Sequence, residues 1–363
     1  MKRLLFTVTN DLRYDQRMDR ICTSLAEQGY AVTLIGRIRK QSPPLSPRKY
    51  QQKRLFCFFE KGPFFYAEYN LRLFFYLLFQ KADLLCAIDM DTILPVYFVS
   101  RLKGVQRLYD AHEYFSQMEE VISRPRIYRF WHGLEKRMIP RFPRGYTVCQ
   151  SIAEAFETKF GVRYAVIRNL PRTEPASLAV ERESFLLYQG AVNKGRGLDQ
   201  LIKAMHQIPL PLVICGDGNA MDEVKQQIRK EGLENRITLT GMLKPEELKI
   251  YTRKALIGIN PFQREGLNQY FSLANKFFDY IQAGTPQVTM NYPEYRRIND
   301  QFRVAVLIET LDAEAIATAV NNLHQDLVLY RTLEQQCQVA ARELTWEKES
   351  TTLLNFYESL TGH

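Results

Sequence analysis

The chain has 363 residues, of which 46% are hydrophobic and 25% charged, and its formal net charge is +9. This is the composition of a globular protein, and the length predicts two domains of similar size. No apolar run approaches the roughly eighteen residues of a membrane span, and the lysines and arginines are dispersed without interleaved aromatic residues, which disfavours a transmembrane protein and a nucleic-acid-binding protein.

The spacing of the cysteines and histidines argues against a disulfide framework and a metal site. The six cysteines include no C-x-x-C pair, and several lie in apolar runs such as LLCAI and LVICG, which predicts buried free thiols. The five histidines show no H-x-x-x-H or H-E-x-x-H spacing. We therefore expect no metal and no other cofactor. The apolar run at the N-terminus is too short for a signal sequence, so we expect a cytoplasmic protein.

In the first half of the chain, short β-rich runs alternate with amphipathic helical patterns, which predicts a parallel sheet covered by helices. The predicted strands are 3–9, 31–36, 84–88, 106–111 and 145–149. Between the first two strands, Met18, Ile21 and Leu25 recur at helical spacing, and Gly29 is expected to end that helix.

The segment 55–81 is far more aromatic than the rest of the chain. Its second part is predicted to be a core helix, because apolar stretches between strands and helices usually enter the core. Exposed rings within 56–66, next to Arg54 and Lys61, would instead suit a membrane interface. The sequence leaves this peripheral membrane contact open.

The second half repeats the alternation of strands and helices. The predicted strands are 185–190, 212–216, 237–241, 256–260, 286–290 and 304–308, and the pattern is helical from about 312 onward. The segment 168–184 has mixed charge, prolines and no periodicity, so it is interpreted as a linker. We expect domains over 1–168 and 169–345, and the sequence leaves open which domain the terminal helix 346–363 contacts.

In open parallel sheets, ligands bind beyond the carboxyl ends of the strands, so residues that follow a strand are candidates for function. His112 follows strand 106–111 beside Asp110 and Glu113, and this group is either functional or a helix-capping cluster. The first strand is followed by TNDLRYDQR. From it we predict acceptor contacts by Asn10, Asp15 and Arg17, although Asp15 equally suits a helix cap.

The loop GAVNKGRG follows strand 185–190 and opens a helix. Its glycines let the backbone approach an anion, and Lys194 or Arg196 above a helix N-terminus makes a natural phosphate site. The spacing matches neither a dinucleotide-binding fingerprint nor a P-loop. We predict that Gly190 and Arg196 bind an anionic ligand.

The stretch NQYFSLANKFFDYIQAGTPQV, residues 268–288, is predicted to contain a helix that begins after Ser272 as N-cap and ends at Gly284. Free backbone N–H groups are then expected in its first turn, at Leu273, Ala274 and Asn275. Lys276 adds a positive charge there, and Asp279 lies one turn further along. An ion pair on a surface helix would explain the charges but not the many aromatic residues.

The order YDAHEYF, RNLP, LYQGAVNKGRGLDQLI, VICGDG and SLANKFFDYIQAGTPQV resembles the retaining glycosyltransferases of family 4, in the branch with an S-L-x-N-K-x-F-[DE]-Y helix. The resemblance implies a GT-B fold, with two Rossmann-like doubly wound parallel-sheet domains facing a cleft. It further implies transfer of a sugar, with retention, from a nucleotide-sugar donor on the second domain to a glycan or lipid-linked acceptor on the first. The resemblance also implies a role in polysaccharide biosynthesis, in the cytoplasm or at the inner face of the plasma membrane.

By motif position, the resemblance gives Arg196 and Lys276 to the donor diphosphate and Asp279 to the ribose. The helix start, Ser272, Leu273, Ala274 and Asn275, is then predicted to bind the donor together with Lys276 and Asp279. His112, as a neutral imidazole, would lie near the donor sugar and would be catalytic together with the two cations. The family usually has a first Glu eight residues before its ribose-binding Glu. Phe271 stands there in this chain, which leaves open whether Glu265 contacts the sugar.

The resemblance also implies chemistry without a metal, because side chains neutralise the leaving diphosphate, which itself helps to deprotonate the acceptor. Two other functions stay open at this point. One is a GT-B sugar-nucleotide epimerase, for which we find no paired catalytic carboxylates. The other is a non-catalytic nucleotide-sugar binding protein.

Overall fold

A computed structural model describes residues 1–13, 15–173 and 181–362. The chain divides into two compact units, one of residues 1–169 with 349–363 and one of residues 170–348. The predicted linker 168–184 lies partly outside the described residues, because they omit 174–180.

The first unit is a seven-stranded parallel sheet with helices between the strands. Its strands are β1 (Arg3–Thr7), β2 (Ala31–Ile38), β3 (Gln51–Phe56), β4 (Leu84–Ile88), β5 (Gln106–Ala111), β6 (Gly145–Thr147) and β7 (Ala165–Val166). Its helices are α1 (Gln16–Glu27), α2 (Gly62–Phe79), α3 (Ile93–Lys103), α4 (Glu119–Ile122), α5 (Pro125–Met138) and α6 (Gln150–Phe160). The strand order is β3-β2-β1-β4-β5-β6-β7, so the winding reverses between β1 and β4.

The second unit is a six-stranded parallel sheet built in the same way. Its strands are β8 (Glu183–Gln189), β9 (Leu212–Cys215), β10 (Ile237–Gly241), β11 (Ala255–Asn260), β12 (Gln287–Met290) and β13 (Ala305–Ile308). Its helices are α7 (Leu198–Ala204), α8 (Met221–Lys230), α9 (Pro245–Lys254), α10 (Gly266–Phe271), α11 (Asn275–Gln282), α12 (Pro293–Phe302), α13 (Ala313–Gln325) and α14 (Leu327–Glu343). The strand order is β10-β9-β8-β11-β12-β13, and the winding reverses between β8 and β11.

The central strands are recognisable because both of their faces are buried. All five residues of β4, LLCAI, are buried, as expected for a parallel strand covered by helices on both sides. All eleven predicted strands are present with small differences at their ends, and the prediction of two Rossmann-like parallel-sheet domains is confirmed. The six cysteines are free and buried, as predicted.

The last helix, α15 (Trp346–Thr361), packs on the first unit from Glu349 onward. The carboxylate of Glu349 accepts hydrogen bonds from the backbone and side chain of Arg168. Further along, the hydroxyl of Tyr357 lies 3.1 Å from that of Tyr146, and its ring centre lies 6.2 Å from that of Phe6. The helix therefore completes the core beside β1 and β6.

Two strands, β3 and β7, were not predicted. β3, QQKRLF, lies at the sheet edge, where its residues are exposed or half-buried, so it lacks the apolar run that marks a central strand. β7 has only two residues at the opposite edge. Among the described residues, no helix is both long and apolar enough to cross a membrane.

Candidate functional site

In the second unit, the ends of β8 and β11 form the crevice where a doubly wound sheet is expected to bind its ligand. Gly190 directly follows β8, and Phe262 follows β11. Helix α11 brings Lys276 to the same crevice, since a Cβ built on Gly190 would lie 3.5 Å from Cε of Lys276. The absence of a side chain at Gly190 therefore leaves the room that Lys276 occupies.

The ammonium group of Lys276 is surrounded by aromatic rings. The residue is only 8% exposed, and its Nζ lies 3.6 Å from the ring centre of Tyr188 and 5.3 Å from that of Phe262. Burial, and after it the charge of Arg196, lowers the pKa of Lys276 well below its usual value, although Asp279 opposes this. An anion bound here would reverse the shift and hold the lysine protonated.

Arg196 reaches the same place from the loop after β8. Its guanidinium lies 4.6 Å above the ring centre of Phe262, and its Nε is buried without a hydrogen-bond partner in the described part of the chain. The next residue, Gly197, has φ +66°, and a Cβ there would lie 2.1 Å from the carbonyl oxygen of Pro261. Only glycine allows this close approach, which holds Arg196 against the end of β11.

Asp279 is held from β8 by a buried hydrogen-bond network. The side-chain amide of Gln189 donates to Oδ2 of Asp279 at 2.9 Å, and the hydroxyl of Thr252 donates to Oε1 of Gln189 at 2.7 Å. Because a carboxylate can only accept, the amide nitrogen of Gln189 faces Asp279 and its oxygen faces Thr252, so residues of β8 and α9 support the carboxylate. Sequence reasoning missed Gln189, since nothing in its local sequence indicates a partner 90 residues away.

The predicted N-cap at Ser272 is wrong. Helix α11 begins at Asn275 with Ala274 as its N-cap, and the Ser272 hydroxyl donates to the carbonyl of Gln269 at the end of α10. Extended backbone joins the two helices, and the Tyr295 hydroxyl accepts the N–H group of Ala274. The Ala274 amide is therefore already bonded. Of residues 272–275, which were predicted as the donor-binding N-cap and first turn, the helix itself includes only Asn275.

Lys194 and Glu265, the two other charged residues considered as ligands of the donor, are both exposed. Lys194 is 70% exposed and lies 3.6 Å from the carboxylate of Glu223. Glu265 precedes α10 and is also exposed. Lys194 therefore differs from Arg196, although the sequence offered both as phosphate ligands.

In the first unit, His112 belongs to a compact charged group at the carboxyl end of β5. Its Nε2 lies 3.0 Å from Oδ2 of Asp110, and the guanidinium of Arg17 lies 3.2 Å from Oδ1 of the same carboxylate. Burial acts to raise the pKa of Asp110, but Arg17 and His112 outweigh it and lower that pKa. Burial acts to lower the pKa of His112, and Asp110 outweighs it and raises the pKa to about 9. The expectation of a neutral imidazole is therefore wrong.

The acceptor residues predicted after β1 are already engaged within the first unit. Asp15 caps α1 through Met18 and also accepts from the side-chain amide of Asn10 at 2.7 Å. Arg17 is 5% exposed and donates to the carbonyl of Ile167 as well as to Asp110. Arg17 is therefore buried rather than lining a surface, while acceptor binding by Asn10 and Asp15 stays a prediction.

Two carboxylates after β4 complete this group, and sequence reasoning missed both. Asp89 has φ +55°, and its Oδ1 accepts the N–H groups of His112 at 2.9 Å and of Glu113 at 3.2 Å. Burial raises the pKa of Asp89 to about 8 and that of Asp91 to about 6. The rule of inspecting residues after a strand would have found them, since DMD follows β4 as HE follows β5.

Comparison with known families matches residues 171–343 to the family described as "Glycosyl transferases group 1". No curated protein sequence matches the chain. The solved structures to which it is similar include sucrose-phosphate synthase from Thermosynechococcus elongatus, with a TM-score of 0.79, 16% identity and 100% of each chain covered.

The chain is also similar to the solved structures of two further proteins, HepE and WaaG. Anabaena HepE, in complex with UDP and glucose, has a TM-score of 0.76 and 13% identity, covering 99% of this chain and 100% of its own. WaaG, described as a glycosyltransferase involved in lipopolysaccharide biosynthesis, has a TM-score of 0.70 and 15% identity, with 99% and 100% covered. At these identities the similarity shows the shared GT-B fold. Together with the family match, it supports a group 1 glycosyltransferase domain over residues 171–343.

Proposed function

We propose that the protein is a retaining glycosyltransferase, which moves a sugar from a nucleotide-sugar donor to a hydroxyl group of a glycan or lipid-linked acceptor. The observation that carries the proposal is the pair Arg196 and Lys276, two cations that both lie near the ring of Phe262 at the β8–β11 crevice. Within the described part of the chain, neither forms an ion pair with a carboxylate. A diphosphate would supply the missing negative charge.

The transfer reaction requires positive charge beside the leaving diphosphate. As the bond from the anomeric carbon to the diphosphate breaks, negative charge develops on the diphosphate oxygen, and preorganised cations stabilise it. The acceptor oxygen forms the new bond on the same face of the sugar. Its proton passes to the departing diphosphate, so no base from the protein is required.

The remaining roles are assigned to residues that the chain holds in place. Asp279, oriented by Gln189, binds the nucleotide ribose. His112, as an imidazolium, positions the sugar by donating a hydrogen bond to one of its oxygens. Replacement of His112 by Ala is then expected to lower turnover strongly and to leave nucleotide affinity nearly unchanged.

A panel of UDP-, GDP- and ADP-sugars tested by thermal shift identifies the donor, since a ligand at 100 times its Kd stabilises a fold by about 2.7 kcal/mol. With that donor, Arg196→Ala and Lys276→Ala are each expected to lose about 100-fold or more of transferase activity, or about 3 kcal/mol in the barrier. Lys194→Ala, which removes an exposed cation from the same loop, is the matched control and is expected to keep its activity.

The products formed from the donor distinguish a retaining transferase from an epimerase and from a non-catalytic binding protein. NMR of the product distinguishes retention from inversion at the anomeric carbon. Conversion of the donor into another sugar nucleotide would identify an epimerase, and binding without donor hydrolysis or transfer would identify a non-catalytic binding protein. Near wild-type turnover by Lys276→Ala would contradict the diphosphate assignment.

A further inference from the structure

The net positive charge of the protein resides entirely on the first unit. Residues 1–169 and 349–363 contain 28 Lys and Arg against 18 Asp and Glu, whereas residues 170–348 contain 21 against 22. The nucleotide-binding cations described above lie in the unit without excess charge. The charge excess therefore points to a second anionic partner, for which the first unit is the contact.

Helix α2 shows where such a partner can be contacted, because it is apolar on both sides. One side, with Phe65, Tyr69, Leu73 and Leu77, is buried against the unit. The opposite side is exposed, with Phe79 78% exposed. A core helix was predicted here, and the prediction is right for only one side of the helix. A helix with apolar residues all round is expected to be covered on all sides.

We name the exposed side of α2, together with the neighbouring end of α3, the aromatic face. It consists of Phe64, Leu71, Phe75 and Phe79 on α2 and of Phe98 and Leu102 on α3. The four α2 residues follow helical spacing, so they form one stripe along a helix that is about 27 Å long. Phe98 and Leu102 continue it across a cavity that they line with Phe74 and Arg101.

Further exposed rings extend the aromatic face at the start of α2. Phe58 is 71% exposed, and its ring centre lies 5.0 Å from that of Phe56. The guanidinium of Arg72 lies 5.3 Å from the ring of Phe58, and Glu68 binds the backbone N–H groups of Phe58 and Phe59. The polar side chains thus fix the loop so that its rings face outward.

Cations surround the aromatic face. Segments 53–81 and 97–107, which contribute the face, hold eight Lys and Arg residues and two Asp and Glu residues. Lys61, Lys81 and Arg101 are exposed at its edges. An apolar centre with a cationic rim is the arrangement by which proteins rest on an anionic lipid surface, with rings among the acyl chains and cations at the headgroups.

We propose that the aromatic face docks on the surface of a lipid bilayer that contains anionic phospholipids. A second copy of this chain is a poorer occupant, because pairing two such faces would bring their cationic rims together. The proposal concerns binding to lipid and holds whether or not the acceptor is lipid-linked.

The test is co-sedimentation of the full chain with vesicles, either of phosphatidylcholine alone or with about one-third phosphatidylglycerol. We expect binding to the anionic vesicles only, weakened by high salt. The triple variant Phe75→Ser, Phe79→Ser, Phe98→Ser is expected to lose about tenfold or more of this binding. Its control, Met242→Ser, Leu327→Ser, Val328→Ser, removes apolar residues of the second unit that are on average more exposed, and it is expected to bind as wild type.

A second set of variants tests the contribution of the cationic rim. Lys61→Gln, Lys81→Gln and Arg101→Gln are each expected to weaken binding by roughly fivefold. The controls Lys225→Gln, Arg229→Gln and Lys230→Gln remove exposed cations of α8 in the second unit. Circular dichroism and nucleotide thermal shift verify that every variant is folded, and these readouts separate failure here from failure of the proposed function.

The proposal is overturned if the wild type binds no vesicles or binds neutral ones equally. It is also overturned if the aromatic and control triple variants bind alike. Sedimentation velocity without lipid provides the last check, since a dimer that the aromatic triple variant abolishes would assign the face to a second copy of this chain.

Discussion

Each of the two sheets gathers charged side chains at the carboxyl ends of its strands, but the two groups differ in charge balance. In the first unit, Arg17 and His112 share the buried carboxylate of Asp110, so each cation has its counter-charge within the chain. In the second unit, Arg196 and Lys276 pack beside aromatic rings, and among the described residues neither is paired with a carboxylate. A balanced group maintains its own geometry, whereas an unbalanced cationic group needs an external anion.

Stability measurements provide the strongest test of this difference. Arg17→Met leaves Asp110 buried without its cation and is expected to cost about 3–5 kcal/mol in the free energy of unfolding of the first unit. Lys276→Met removes an unpaired buried charge, so we expect equal or higher stability of the second unit. Equal destabilisation by both changes would show that the two groups do not differ as described.

The two tryptophans allow the units to be followed separately, because Trp131 lies in the first unit and Trp346 in the second. Urea unfolding followed by fluorescence in a Trp346→Phe background reports on Arg17→Met. The same measurement in a Trp131→Phe background reports on Lys276→Met. This separation matters because a protein of two units need not unfold in one step.

The pH dependence of stability gives a second test, confined to the first unit. The folded-state pKa of His112, about 9, is above its ordinary value of 6.5. Its protonated form therefore stabilises the unit fully below pH 6.5, and this stabilisation is lost as the pH rises through 9. The loss amounts to at most about 3 kcal/mol.

The control for this pH effect is His112→Gln, which keeps the Arg17–Asp110 pair but cannot titrate. The stability of this variant is expected to fall less than that of the wild type between pH 6.5 and 9, because the contribution of His112 is missing. It still falls, because Asp89 titrates in both proteins. Parallel profiles for the two proteins would mean that His112 is not protonated in the fold.

A third prediction concerns the orientation of Asp279 in the second unit. Gln189→Ala removes the hydrogen bond to the carboxylate, and we expect KM for the donor to rise about tenfold with little change in kcat, since a ribose contact is made before and during transfer. Gln189→Glu should be worse, because it places a second carboxylate against Asp279. A fall in kcat alone would contradict a role in donor binding.

The smallest expected effect is that of chelation. Two side-chain cations already supply the positive charge that a divalent metal would bring to the diphosphate, so transferase activity is expected to persist in EDTA. Complete loss of activity that Mg²⁺ or Mn²⁺ restores would show that Arg196 and Lys276 are insufficient. Transfer assays with and without chelator, on the same enzyme preparation, make the comparison.

Much of the fold follows from local sequence because central parallel strands are continuous apolar runs, as in LLCAI and LVIC. The edge strand β3 is polar and its position depends on pairing with β2, which no local pattern reveals. The grouping of Arg196 and Lys276 was implied by the family resemblance, and both residues do approach the ring of Phe262 in the structure.

Errors in the site arose where distant residues decide the local outcome. Ser272 suits an N-cap by its type, but the Tyr295 hydroxyl holds Ala274 extended and moves the start of α11. The protonation of His112 depends on the ionised carboxylate of Asp110. That carboxylate is itself kept ionised by Arg17, which is 93 residues away along the chain. The rings of Tyr188 and Phe262 beside Lys276 could not be inferred from spacing, because they come from two different strand ends.

The terminal helix has a consequence for how the chain acquires its structure during translation. Tyr357 contacts Tyr146 and Phe6, so the core beside β1 and β6 needs residues that are made after the whole second unit. The second unit, by contrast, is a continuous stretch, 170–348, and can fold as soon as it emerges from the ribosome. The unit that is synthesised first is therefore completed last, and until then its unfinished core beside β1 is open to chaperones and proteases.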